Sequence, residues 1–322
     1  SRGVDIPVVN QNFETNVPGL FIAGELGGMG LIRNAVEQAR QAVDSIKKLD
    51  GIGRSKDLDV VIVGAGPAGI SATLAAKALK LRSVTVEQDS LGGTVSHYPR
   101  GKVVMTAPVM LPLVGKVKFT ETTKESLLVF WNKVVSQTAL KINFGERVER
   151  IDRDGSGFTV KTTRSSYRSR AVLLAIGRRG TPRKLGALGE ELSKVVYRLV
   201  DPEQFRGEHV LVVGGGDSAL EAAASLAEER GTTVTLSYRN EAFGRAKPKN
   251  RQRVDAGAAS GRIKVLLKSE VKRITEQAVE LEHDGRPVKI RNDAVIVCAG
   301  GILPTDFLKS IGIAVETKYG TA

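Results

Sequence analysis

At 322 residues the chain exceeds one typical domain and has the length for two, each with its own core. Its single cysteine, Cys298, excludes an intrachain disulfide, a CxxC redox pair and a cysteine-built zinc or iron–sulfur cluster, and no metal site is expected. The formal charge of +13 points to polyanionic partners such as nucleotide phosphates or an acidic protein, while its spread along the chain and the scarcity of aromatics argue against nucleic acid.

In chain order, the first unit is "TNVPGLFIAGELGG" (15–28), a short apolar run closed by glycines with one acid, Glu25, among them. The helix-like run "LIRNAVEQARQAVDSI" follows, then a polar, glycine-containing linker at 49–56. "LDVVIV" (58–63) is continuously apolar and short, as a buried parallel strand is. A glycine turn, an Ala-rich helix over 67–80 and the strand "SVTVE" complete a βαβ unit. Residues 123–139 carry apolar side chains at helical spacing behind a Thr cap, and short strands around "DGSG" lead to a buried strand at 171–176. The pattern then repeats in "HVLVVGGGDSALEAAASLAEERGTTVTLSYR", followed by strands in "RIKVLL", "AVELEH", "PVKIR" and "AVIVCAGG". No apolar run approaches the ~18 residues of a membrane-spanning helix. The chain opens on Ser without a signal-peptide pattern, and a cytoplasmic protein is expected.

Gly64, Gly66 and Gly69 form G-x-G-x-x-G between strand and helix. The first glycine permits the turn, the second lets a pyrophosphate approach the backbone and the third lets the helix pack on the strand; the helix N-terminus then faces the phosphates. Glu87 ends the next strand, 23 residues after Gly64, where a carboxylate accepts from a ribose 2′-hydroxyl. Gly214, Gly216 and Ala219 repeat the motif, but here the second strand ends in Arg239, suited to a 2′-phosphate and hence to NADPH over NADH. Arg245 or Lys247 would add a second contact. Most charges of the run "SYRNEAFGRAKPKNRQR", Arg239 excepted, read as a solvated loop, and Asp217 and Glu221 either face ligand or cap and solvate their helix.

One acid-ended and one arginine-ended dinucleotide fold in one chain resembles the thioredoxin reductase-like flavoproteins. "AVLLAIGRRGTPRKL" and "DAVIVCAGGILPT" resemble that family's outward and return crossings between its FAD and NADPH domains, and "TNVPGLFIAGELGG" resembles its "T-x-x-P-G-[LV]-[FY]-A-x-G-D", with Glu25 for Asp. "EQDSLGGTVSHYPRGKVVMTAPVMLPLVGKVKF" is most similar to the bacillithiol disulfide reductase-like and ferredoxin-linked branch. The resemblance implies an α/β fold of two Rossmann-like three-layer domains binding FAD and NADPH. It places FAD contacts at Gly24, Glu25, Leu31, Ile32, Gly64, Gly66, Pro67, Ala68, Gly69, Glu87, Gln88, Gly93, Thr94, His97, Val148, Ala175 and Gly177. NADPH contacts fall on Gly214, Gly216, Asp217, Ser218, Ala219, Arg239 and Arg245. Glu25 would hold the ribityl chain, and the helix beginning near Leu31, Ile32 and Arg33 would face the flavin N1/C2 edge. His97 and Tyr98 would lie by the isoalloxazine, although a structural role suits His97 equally.

Two departures from the family shape the expectation. There is no CxxC, so electrons leave through the flavin and not through the chain's own thiols. The implied function is an FAD-dependent NAD(P)H oxidoreductase, with cofactor chemistry and no catalytic side chain, passing electrons to a ferredoxin-type iron–sulfur protein or fused domain. Lys116, Lys118, Arg178, Arg179 and Lys184 are candidates for its docking patch, or plain solvated surface. The alternatives are reduction of a low-molecular-weight disulfide or quinone, and a non-catalytic flavin sensor. A homodimer is expected. The second departure is order: the T-x-x-P-G-L-F segment precedes the domain it normally closes. This predicts a circular permutation: 1–48 as the moved end of the FAD domain, 49–56 as linker, 57–178 as FAD domain, 179–297 as NAD(P)H domain and 298–322 as return segment. A swap of 1–48 into a neighbouring subunit is the rival.

Overall fold

The computed structural model describes residues 4–24, 32–97, 103–105, 108–118, 121–177, 181–199, 201–302 and 304–318. The chain forms two compact units, one of Ser1–Ser96, Gly101–Gly180 and Leu303–Ala322, the other of His97–Arg100 and Thr181–Ile302.

The first unit begins with β1 (Val4–Pro7), β2 (Leu20–Ile22), α1 (Ile32–Lys47), β3 (Leu58–Val63), α2 (Pro67–Ala78) and β4 (Ser83–Glu87). Its sheet is built around β3. β4 pairs parallel on one side, with Val63 opposite Val86, and the strand Ser166–Leu174 pairs parallel on the other, with Leu174 opposite Val63. The apolar run of β3 is explained by burial on both faces. Val60 and Ile62 face a cluster with Ala39, Val43, Ile46, Ala72 and Ala76 from α1 and α2, while Val61 and Val63 join Ile151, Phe158, Val160 and Leu308 on the other face. The alanines of α2 let α1 approach closely enough for the Ser71 hydroxyl to donate to the Val36 carbonyl at 2.7 Å.

β2 extends this sheet. It runs parallel to Ser166–Leu174, with Leu20 opposite Val172 and Ile22 opposite Leu174. β1 pairs antiparallel with the strand Val315–Lys318, from Val4 opposite Lys318 to Pro7 opposite Val315. The Asn16 amide joins the same two ends, accepting from the Ala314 N–H at 2.7 Å and donating to the Gly312 carbonyl at 2.9 Å. The polar segment 49–56 is tied down as well: Gly53 N–H donates to buried Asp59 at 2.7 Å, and Arg170 Nε donates to the Asp50 carbonyl at 2.8 Å. Burial pushes the Asp59 carboxyl up, but the N–H groups of Gly53 and Arg82 and the Arg82 guanidinium bring it below the ordinary carboxylate range.

The second unit is a five-stranded parallel sheet in the spatial order Val195–Val196, Ala294–Val297, His209–Val213, Thr233–Ser237, Ile263–Leu266. A three-stranded antiparallel sheet, Ser269–Ile274, Ala278–His283 and Arg286–Arg291, packs on it through Val271, Ile274, Val279 and Leu281.

The helix expected over 123–139 is α3 (Lys124–Gln137), capped by the Thr123 hydroxyl, which accepts from Ser126 N–H at 3.2 Å. The run read as a solvated basic loop is corrected in its second half. After α4 (Asp217–Ala227), Pro248 starts α5 (Pro248–Ala259), its fixed φ suiting a first helical turn. Five charges in "KPKNRQRVD" hide this helix from an apolar-period reading, because it buries only Asn250, Val254 and Gly257. The strand Ser269–Ile274 and the hairpin of Val109–Leu111 and Gly115–Val117 were also not anticipated. No helix among the described residues is long and apolar enough to cross a membrane.

Candidate functional site

Each unit carries a glycine turn between its central strand and a helix, and the two are built alike. In the first, Gly64 has φ +110°, and a Cβ there would lie 2.4 Å from the Ala175 carbonyl oxygen. A Cβ on Gly69 would lie 1.8 Å from Gly64 O, so the third glycine lets α2 press against the turn. Gly66 differs: a Cβ would meet only the Gly93 Cα, at 3.7 Å. It caps α2 without a side-chain hydrogen bond, and Pro67 follows. An uncapped helix start behind an open glycine can take an anionic phosphate. Across from it, Gly93 begins a short helical turn that carries Thr94, and Gly92 N–H bonds the Ala65 carbonyl at 2.9 Å.

Glu87, 7% exposed, is wired into this turn. One carboxylate oxygen accepts from Ala65 N–H at 2.7 Å and the other from Asp89 N–H at 2.8 Å. Both oxygens keep lone-pair capacity for a ribose hydroxyl. With the open turn, this arrangement fits the adenosine diphosphate half of FAD. Burial pushes the Glu87 carboxyl above its ordinary range, against the pull of those N–H groups. A raised acid binds its proton in the folded state where the unfolded chain is still ionised, so it adds stability as pH falls through the folded value, and the gain levels off below the unfolded one. In FAD-free protein, the stability difference between wild type and Glu87→Gln is therefore expected to shift toward wild type as pH falls through that window. Denaturant titrations at stepped pH measure it.

The remaining FAD positions scatter by depth. Ala68 and Ala175 are buried, Gly24 is buried with its N–H on the Gln38 side chain at 3.0 Å, Val148 and Gly177 are half-buried, and Gln88 is exposed. Ile32 opens α1, with Arg33 exposed beside it. Glu25, Leu31, Tyr98, Arg178 and Arg179 lie outside the described residues, and His97 is described by its backbone alone.

In the second unit Gly214 repeats Gly64: φ is +147°, and a Cβ would lie 2.4 Å from the Cys298 carbonyl oxygen. Gly216 repeats Gly66, with nothing within 4 Å of its would-be Cβ and no side-chain cap on α4. Ala219 is buried behind the turn and Ser218 is exposed at the helix start. Gly216→Ala is accordingly expected to raise KM for NADPH and NADH alike while leaving the melting temperature unchanged, a pairing read by steady-state kinetics and thermal denaturation. Arg239 and Arg245 are exposed, and neither meets an acid among the described residues. Asp217 instead spends its carboxylate on the protein, accepting from Lys247 N–H at 2.8 Å and Asn250 Nδ2 at 2.7 Å. Asn250 and the Tyr238 ring, which covers Gly215, escaped the sequence reading because neither belongs to the glycine motif; an aromatic directly before Arg239 was the available signal.

Beside the start of α1, the Val109–Val117 hairpin exposes Met110 at 56% and Leu113 at 55%, with exposed Lys116 and Lys118 next to them. A groove lined by Arg33, Glu37, Pro108, Val109, Met110 and Lys116 separates hairpin and helix. Glu37 is engaged by Arg40, so the local balance is cationic. Lys184, exposed, belongs to the other unit.

The family model described as pyridine nucleotide-disulphide oxidoreductase matches residues 61–321. A ferredoxin–NADP reductase of Ignicoccus hospitalis is 30% identical over 271 residues, covering 81% of this chain and 83% of that protein. The bacilliredoxin reductase Bdr of Bacillus subtilis is 27% identical over 267 residues, covering 81% and 82%. The solved bacillithiol disulfide reductase Bdr (YpdA) from Bacillus cereus shares the fold with a TM-score of 0.65 at 25% identity, over 83% of this chain and 86% of that one. With two glycine turns of matching build and this extent of likeness, the chain belongs to the pyridine nucleotide-disulphide oxidoreductase family and is an FAD-dependent NAD(P)H oxidoreductase.

Proposed function

We propose that the chain takes electrons from NADPH and delivers them to an acceptor outside itself, a small acidic iron–sulfur protein of the ferredoxin type. Bound FAD supplies the redox chemistry, accepting hydride from the nicotinamide and releasing electrons to the acceptor. The chain's residues bind and orient. Glu87 and the Gly64–Gly69 turn hold one adenosine diphosphate, and Arg239 with Arg245 selects the 2′-phosphate of the other nucleotide. The observation that carries the reading is this contrast at equivalent strand ends, a buried hydrogen-bonded acid in one unit and, in the other, two exposed arginines that meet no acid among the described residues. With one cysteine in the chain, no internal dithiol stands between flavin and acceptor. Anaerobic titration tests it: one equivalent of NADPH bleaches the flavin absorbance, and NADH does so far more slowly. A flavin left oxidised by stoichiometric NADPH overturns the reading.

The exposed Met110 and Leu113 of the hairpin, with Lys116 and Lys118 on its second arm and Arg33 across the groove, support a protein acceptor of negative charge. Lys116→Glu/Lys118→Glu is expected to raise KM for an acidic ferredoxin by about tenfold at low ionic strength, with the difference shrinking as salt is added. Turnover of ferricyanide, which needs no docking surface, serves as the control and stays unchanged. The likeness to Bdr favours a second reading, direct reduction of a small disulfide. In that case the charge reversal leaves physiological turnover untouched.

A further inference from the structure

We propose that Asp217 is a positioning residue for nucleotide selection: with Asn250 it pins the loop carrying Arg239 and Arg245 to the helix that follows the second glycine turn, and so sets the preference for NADPH. The inference rests on the reading of Arg239 given above.

Asp217 is the first residue of α4, a negative charge at the helix end where a dinucleotide's pyrophosphate belongs. A free carboxylate there would repel the phosphates. This one is turned to the loop. Oδ1 accepts both the Lys247 N–H and the Asn250 side chain, and the same Asn250 nitrogen donates to Glu221 Oε1 at 3.1 Å, one turn along α4. Asn250 is 7% exposed, so the contact is built into the packing between α4 and α5 and is no surface accident. The Lys247 N–H, aided by Asn250, holds the Asp217 carboxyl below its ordinary range, so it is ionised at neutral pH.

The loop between Tyr238 and Lys247 is anchored at its other points too. The Tyr238 ring lies over Gly215, where a Cβ would come within 2.3 Å of it, and stacks on Phe243 with centroids 5.6 Å apart. Ala246 is buried, and Glu241 pairs with Lys268 at 2.9 Å. On this frame the exposed side chains of Arg239 and Arg245 meet no acid among the described residues. Holding them in place before the ligand arrives removes an ordering cost that a slack loop would charge against binding. That cost falls only on a ligand the arginines touch. Breaking the clamp therefore weakens the 2′-phosphorylated nucleotide and spares the unphosphorylated one.

The test uses the FAD-loaded enzyme with ferricyanide as acceptor. Asp217→Ala and, separately, Asn250→Ala are expected to raise KM for NADPH by about tenfold, leaving KM for NADH and both kcat values within about twofold. Inhibition by 2′,5′-ADP weakens in parallel, while inhibition by 5′-ADP does not. Asp217→Asn keeps an acceptor for the Lys247 N–H and recovers most of the NADPH affinity. Equal changes for NADPH and NADH, or none, overturn the proposal. Flavin content and far-UV circular dichroism identify a variant that fails to fold, in which case the milder Asn250→Ser decides on the same ratio. The reading beneath it has its own arm: if Arg239→Ala leaves the nucleotide preference of wild type intact, 2′-phosphate recognition at this loop is wrong, whatever Asp217 does.

Discussion

Gly66→Ala is expected to give a folded protein purified without FAD, whereas Gly69→Ala is expected to disrupt the first unit itself. The two glycines stand three residues apart in one motif, and their surroundings are opposite. Gly66 has φ −74° and ψ −175°, a conformation any residue adopts, and its added methyl would touch only the Gly93 Cα at ordinary van der Waals distance. Nothing in the protein resists the change. The methyl occupies the space a pyrophosphate needs when it approaches the turn. At Gly69 the methyl would meet backbone, Gly64 O at 1.8 Å and Gly64 C at 2.6 Å. No rotamer relieves that clash, so α2 has to shift off the sheet and lose its packing on α1, a class of overpacking that costs typically 1–3 kcal/mol and sometimes more. The comparison is made on FAD-free protein, since ligand binding itself raises the melting temperature. The absorbance ratio at 450 and 280 nm (about the flavin and protein bands) reports loading, and apoprotein melts report the fold. A Gly66→Ala protein that keeps full flavin removes the phosphate from this turn.

Arg239→Ala is expected to raise KM for NADPH about 10- to 100-fold, the range of a lost charge-assisted contact to phosphate, with kcat and the KM for NADH unchanged. The side chain is exposed and bonds no acid among the described residues, so its removal leaves the protein's own stability alone. Arg239→Lys keeps the charge and loses the planar fork, and falls between the two. Arg245→Ala adds to the loss if both arginines share the phosphate. A preference that survives the double substitution would place 2′-phosphate recognition elsewhere.

The parts of the chain that were legible before the structure are those where backbone and ligand demand the same residue. A glycine needed for φ +110° at position 64 and for close packing at 69 is visible as a letter, as are the buried strand 58–63 and the Thr123 cap. What stayed hidden depends on contacts across the fold. α5 is too polar for an apolar stripe, because its inward face is held by Asn250 on two acids of α4. The Val109–Val117 hairpin carries apolar residues that face solvent, and hydrophobicity alone assigns those to a core. The contribution of Tyr238 is steric and shows only once its ring is seen over Gly215.

β2 lies beside Ser166–Leu174 although nearly the whole first unit separates them in the chain. During synthesis Leu20, Phe21 and Ile22 therefore leave the ribosome long before the strand that shelters them, Val172 following Leu20 by 152 positions (172 − 20). At 5–20 residues per second, that is roughly 8–30 s of waiting. α1 has its partner sooner, because α2 emerges within a few seconds at the same rate and offers it an alanine face. The early helix pair is thus the natural shelter for the waiting strand. A protein rearranged to place residues 1–48 after residue 322, with the cut inside 49–56, would make that strand last, when the sheet edge is already formed. It is expected to reach the same fold, with less material lost to aggregation as the chain is made.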